Sequence, residues 1–82
     1  MEKLTLKSQR FRHEREAGWK QLETLLSQIE RKGIRSLSNE QITHLPNLYR
    51  STLSSLSAAR ATSLDQNVVA YLESLSARAY YI

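Results

Sequence analysis

Apolar residues mark the first third of the chain at steps of three, four, seven and eight: Leu4, Phe11, Trp19, Leu22, Leu26 and Ile29. That spacing draws one stripe along a long helix, expected over about residues 4–32. Arg31 and Lys32 put positive charge in its last turn, favourable against the helix dipole, and Gly33 stands where a left-handed C-terminal cap is wanted. The stretch Ser-Leu-Ser-Asn-Glu-Gln-Ile then opens a second helix, expected over 39–62. Ser38 is a good N-cap, Gln41 completes a capping box, and Leu37 and Ile42 occupy the staple positions. Pro46 removes a backbone donor and restricts Leu45, so a kink or a short first turn is expected there. Leu45, Leu48, Tyr49, Leu53 (or Thr52), Leu56 and Ala59 are expected on the inner face. Asp65 caps a third helix over 66–82, with Leu64 and Val69 able to staple, Val68, Leu72, Leu75 and Ala79 as its stripe, and Tyr71 and Ile82 flanking it.

Short connections make neighbouring helices antiparallel. The expected architecture is therefore all-α, a single domain folded as an up-down-up three-helix bundle. Its first helix, roughly 43 Å long at about 1.5 Å per residue, outreaches partners of about 25 Å and must overhang, fray or bend. The basic stretch containing Lys7, Arg10, Arg12 and Arg15 falls in that overhang.

Composition agrees with helices. The chain of 82 residues has two Gly, one Pro and no Cys, which excludes a disulfide framework or a thiolate metal site. Its N-terminus is charged throughout and does not read as a signal peptide. The longest apolar run, Val68 to Leu72, falls far short of the roughly 20 residues that cross a bilayer. The net charge of +4 is unevenly placed: residues 1–35 hold nine Lys/Arg against five Glu, and the remainder is balanced. A solvated helix face explains this, and attraction to anionic lipid or nucleic acid is the sharper alternative.

Catalytic patterns are missing. His13 and His44 fall on different helices without a carboxylate cluster, no glycine-rich phosphate loop occurs, and no serine sits in a nucleophile elbow. The expectation is a protein that is not an enzyme and needs no cofactor or metal. Trp19 and Phe11, at helical spacing with leucines, read as core. The small residues of Ser51 to Ser63 suit close helix packing, within the chain or against a partner helix. Tyr49, Arg50, Arg60, Tyr71 and Arg78 are candidates for docking helices on one another. Arg60 and Arg78 either snorkel or pair, with Glu73 or a C-terminal carbonyl as acceptors, to fix helices 2 and 3. Helix 3 has no Lys or Arg before Arg78, so a DNA-reading helix fits poorly.

Three stretches in order, GWKQLETLL, SLSNEQITHLPNLYRSTLSSLSAARA and LDQNVVAYLESLSARAYYI, resemble the N-terminal cytoplasmic segment of the stage II sporulation protein M family of bacterial integral membrane proteins. The resemblance runs over residues 11–82 and rests on Trp19, Leu22, Leu45, Leu48, Tyr49, Arg50, the Ala59-Arg60-Ala61 and Ala77-Arg78-Ala79 triplets, Tyr71, Leu72 and Leu75. Glu73 and Tyr80 depart from the family pattern, which often has Asn and His there. The resemblance implies transmembrane helices beyond Ile82, no enzymatic activity, and partners among other membrane proteins or a cytosolic AAA-type ATPase. It also implies a place at the cytoplasmic face of the cell membrane, with the chain an excised domain. Arg31, Lys32 and Arg35 are then the membrane-proximal cations, and Lys7, Arg10, Arg12 and Arg15 the partner-docking ones. The alternatives are a free-standing basic bundle that binds nucleic acid nonspecifically, and a small homo-oligomeric adaptor.

Overall fold

The computed structural model describes the backbone of residues 2–62 and 65–82, and side chains from residue 9 onward within those ranges. The side chains of Leu4 and Lys7, and Leu64 with its expected staple, lie outside the described residues. Among the described residues the chain forms three α-helices, α1 (Glu2–Lys32), α2 (Asn39–Ala61) and α3 (Gln66–Tyr80), one 3₁₀ turn (Ile34–Ser36), and no strand. The longest dimension, 46 Å, matches the length of α1, about 46 Å for its 31 residues at about 1.5 Å each.

Local chemistry sets each boundary. Gly33 ends α1 with φ +85° and ψ 161°, so the positive φ that was expected occurs with extended rather than left-handed ψ. That combination is essentially restricted to glycine. The Gly33 amide still donates to the Ile29 carbonyl at 2.8 Å. The Ser36 hydroxyl then donates to the Gly33 carbonyl, and Gln28 reaches over from α1 to the Ser36 carbonyl at 3.0 Å, which clamps the turn. The capping box forms in both directions: Gln41 N–H donates to Ser38 Oγ at 3.1 Å and Ser38 N–H to Gln41 Oε1 at 2.8 Å. Leu37 is buried, but Ile42 is 44% exposed, so the second staple residue stays at the surface. Asp65 accepts from Asn67 N–H at 2.8 Å and starts α3. That helix closes at Tyr80, two residues before the expected end. α2 is one uninterrupted element through Pro46.

The core is made by one face of each helix. Trp19, Leu22 and Leu26 of α1 cluster with Leu56 and Ala59 of α2 and Val68, Val69, Leu72 and Leu75 of α3. Phe11, Leu45, Leu48, Tyr71 and Ala79 pack partly buried around them. On α2 the buried residue is Thr52, 1% exposed, while Leu53 is 39% exposed. The physical reason is periodicity. Thr52, Ser55, Leu56 and Ala59 recur at three and four on one helical face, and Leu53 falls about 100° off Thr52. Small residues on that face let α2 approach its neighbours closely. Three buried polar atoms, Trp19 Nε1, Thr52 Oγ1 and Ser76 Oγ, have no hydrogen-bond partner among the described residues.

An unpartnered buried hydroxyl carries a desolvation cost of about 1–3 kcal/mol. Thr52→Val keeps the shape and β-branching and removes that cost. Urea denaturation should show Thr52→Val equal to or more stable than the parent by up to about 1 kcal/mol. A clear loss would mean that the hydroxyl is satisfied in solution.

Candidate functional site

Beside the apolar stripe of α1 runs a polar one, Glu16, Glu23, Ser27 and Glu30, at steps of seven, four and three. On α3, Tyr71 and Arg78 are seven apart and share a face. The two rows meet. The Tyr71 hydroxyl donates to Glu23 Oε1 at 2.6 Å. The Arg78 guanidinium grips Glu30 with two donors, Nε to Oε2 at 3.1 Å and Nη2 to Oε1 at 2.8 Å, and lies 3.4 Å from Ser27 Oγ. Arg78 therefore docks α3 on α1, where the sequence suggested α2. Its fork matches the carboxylate, a geometry that a lysine cannot copy. Burial and the hydrogen bond to Glu23 push the Tyr71 phenol well up from its usual value of about 10, so it is held neutral. The hydrogen bond from Arg78 pulls the Glu30 carboxyl down.

Trp19 sits above this seam. Its ring tilts against Phe11, centroids 5.9 Å apart, and against Tyr71 at 6.1 Å. Two cations cover the row: the Arg15 guanidinium lies 4.6 Å from the Phe11 ring centroid, and the Lys20 ammonium 5.9 Å from that of Tyr71. Arg15 also donates to Ser55 of α2 at 3.3 Å, and Arg12 pairs with Glu16 at 2.6 Å. Two of the expected partner-docking cations are thus engaged within the chain, while Arg10 is exposed.

Of the helix-docking candidates, Arg60 joins α2 to α3 through Glu73 at 3.1 Å. Tyr49 lines a 250 Å³ apolar cleft with Leu45, Pro46, Ala79 and Ile82. Arg50 is exposed and makes no side-chain bond among the described residues. Arg31, Lys32 and Arg35 are exposed at the α1–α2 turn and form no ion pair among the described residues. A wider open groove of 520 Å³ runs between α1 and α2, with Leu25 and Leu48 as its apolar part and Lys20, Thr24, Gln41 and His44 along it. Neither helix pattern announces this groove, because it is assembled from residues at the flanks of two helices. Among the described residues, no group of three or more His, Asp or Glu could hold a metal ion.

Fold and surface together define a small all-helical domain with polar seams between its helices. The family model of a domain of unknown function (DUF8413) matches residues 9–82, and the chain belongs to that family. No curated protein and no solved structure shows detectable similarity to it.

Two outcomes follow from the seam. Tyr71 binds its proton more tightly folded than unfolded, so its contribution is fully present below about pH 10, the unfolded value. It is lost as pH rises from there toward the folded value. The free energy of unfolding measured across that alkaline range should therefore fall less steeply with pH for Tyr71→Phe than for the parent; equal slopes would contradict the seam. Arg78→Lys should lower the thermal midpoint despite keeping the charge. Glu30→Gln added to it should lower the midpoint little further, because both act through one pair.

Proposed function

We propose that this chain is a non-catalytic helical module of a bacterial multi-pass membrane protein, working at the cytoplasmic face through contacts with other proteins. The resemblance to the stage II sporulation protein M family supports the membrane assignment. One structural observation carries it further. Glu23 with Tyr71 and Glu30 with Arg78 pair α1 and α3 in the same direction. Arg15 with Ser55, and the Thr24 and Leu25 side of the groove with Gln41 and His44, pair α1 and α2 in opposite directions.

These pairings favour the up-down-up order. They bring the end of α3 beside Arg31, Lys32 and Arg35. Cations flanking a span on its cytoplasmic side follow the positive-inside rule. A bend at Pro46 belongs to the same reading, since the ring leaves the Ile42 carbonyl without its helical donor. The groove between α1 and α2 suits a helix of a partner, either another membrane protein or a cytosolic AAA-type ATPase, since a trough with an apolar floor and polar rim accepts an amphipathic face.

The reading frame past codon 82 in the gene tests this reading. Several apolar segments of about 20 residues are expected in frame. A frame without one would overturn the membrane reading.

A further inference from the structure

Six large hydrophobic residues are exposed among the described residues: Ile34, Ile42, Leu53, Tyr80, Tyr81 and Ile82. All but Leu53 gather at one end of the molecule. Arg78 on Glu30 ties the last turn of α3 to the last turn of α1, which leads directly into Ile34. Ile82 lines the small cleft with Leu45, one turn along α2 from Ile42. Tyr80 and Tyr81 stack edge to face, centroids 5.2 Å apart, and are 71% and 84% exposed. Monomeric surfaces normally scatter such residues singly, and a gathered set marks an interaction site.

The charge around this end selects the partner. Glu30 and Arg78 neutralise each other, which leaves Arg31, Lys32 and Arg35 against Glu40. Arg10 and Arg12 stand about 30 Å away along α1, at about 1.5 Å per residue. That is some three to four Debye lengths at physiological salt, so they add almost nothing here. Free cations beside exposed tyrosines and isoleucines are what a lipid headgroup region accepts: anionic headgroups for the first, and the interfacial zone for rings with one wet end.

We propose that the end face carrying Arg31, Lys32, Arg35, Ile34, Tyr80 and Tyr81 lies directly against an anionic bilayer surface. This deepens the membrane reading above and rests on it for the presence of a bilayer. The contact itself belongs to this chain and needs no transmembrane segment.

Co-sedimentation of the 82-residue chain with phosphatidylglycerol–phosphatidylcholine vesicles, against phosphatidylcholine alone, provides the test. Binding is expected only to the anionic vesicles, and it should weaken as salt is raised. The triple variant Arg31→Ala/Lys32→Ala/Arg35→Ala should partition more weakly by on the order of 100-fold, from roughly fivefold per surface cation. Tyr80→Ser/Tyr81→Ser should weaken it as well. Lys7→Ala/Arg10→Ala/Arg12→Ala should change little. Every altered side chain in the first two variants is exposed, and the emission of the single, buried Trp19 confirms that each variant is folded. The proposal is overturned by any of three results: no preference for anionic vesicles, equal binding by the end-face variants, or sedimentation of the chain without vesicles, which would make the face a self-association site. Vesicle binding by the chain, with no apolar segment in the reading frame, would keep this inference and remove the multi-pass reading. Apolar segments without vesicle binding would do the reverse.

Discussion

Leu22, Leu26, Leu72 and Leu75 are each 1% exposed or less, and that degree of burial in so short a chain requires three helices to close on one another along their whole facing lengths. Large residues on every face would hold the backbones apart. α2 supplies the compensation, because its buried positions are Thr52, Ser55 and Ala59 around Leu56, with Leu45 and Leu48 packed only partly buried at the margin. Leucines from α1 and α3 then meet over a thin strip, and packing density can reach that of a larger core. The same closeness brings polar atoms inside. Ser55 accepts from Arg15, whereas Thr52 of α2 and Ser76 of α3 find no partner among the described residues, the local cost of placing small hydroxyl residues rather than alanine in the core.

Close approach is also what lets the polar seams form. Tyr71 and Arg78 project from α3 at a seven-residue interval, and Glu23 and Glu30 from α1 at the same interval, so two rungs fall into register at once. A shift of α3 by one helical turn would break both rungs and push the Trp19 ring off Tyr71. Apolar stripes alone tolerate such sliding, because leucines on successive turns are nearly interchangeable. The rungs therefore add specificity of register more than stability, the role best attested for polar groups at helix interfaces.

This division explains what could be read from the sequence. The caps at Ser38 and Asp65 and the stripe through Trp19, Leu22 and Leu26 are local or periodic signals that a single segment carries by itself. Leu53 against Thr52 could not be ranked by hydrophobicity, because helical phase rather than polarity decides which of two adjacent residues faces inward. Arg78 was legible as a docking residue but not in its target: Glu73, the nearer acid in sequence, belongs to Arg60. The matched seven-residue spacings of Glu23–Glu30 and Tyr71–Arg78 were the available signal, and they become visible only when two helices are compared with each other. The groove beside Leu25 and Leu48 had no signal in either helix alone, since it is assembled from residues of both.

The placement of charge follows from the same geometry. Counted over the whole chain, the surplus of cations invites nucleic acid as readily as lipid. The fold separates that surplus into two groups that do not act together. Along α1, Arg12 is spent on Glu16, and Arg15 and Lys20 lie over aromatic rings. At the opposite end of α1 the seam engages Arg78 through Glu30, and Arg31, Lys32 and Arg35 form no ion pair among the described residues. A bundle resting on that end would stand with α1 rising away from the bilayer, and the groove between α1 and α2 would open sideways from the surface. A partner helix could then be held close to the membrane without competing for the lipid contact. That separation begins at Gly33, whose positive φ ends α1 directly after Arg31 and Lys32 and leads into the turn that carries Arg35.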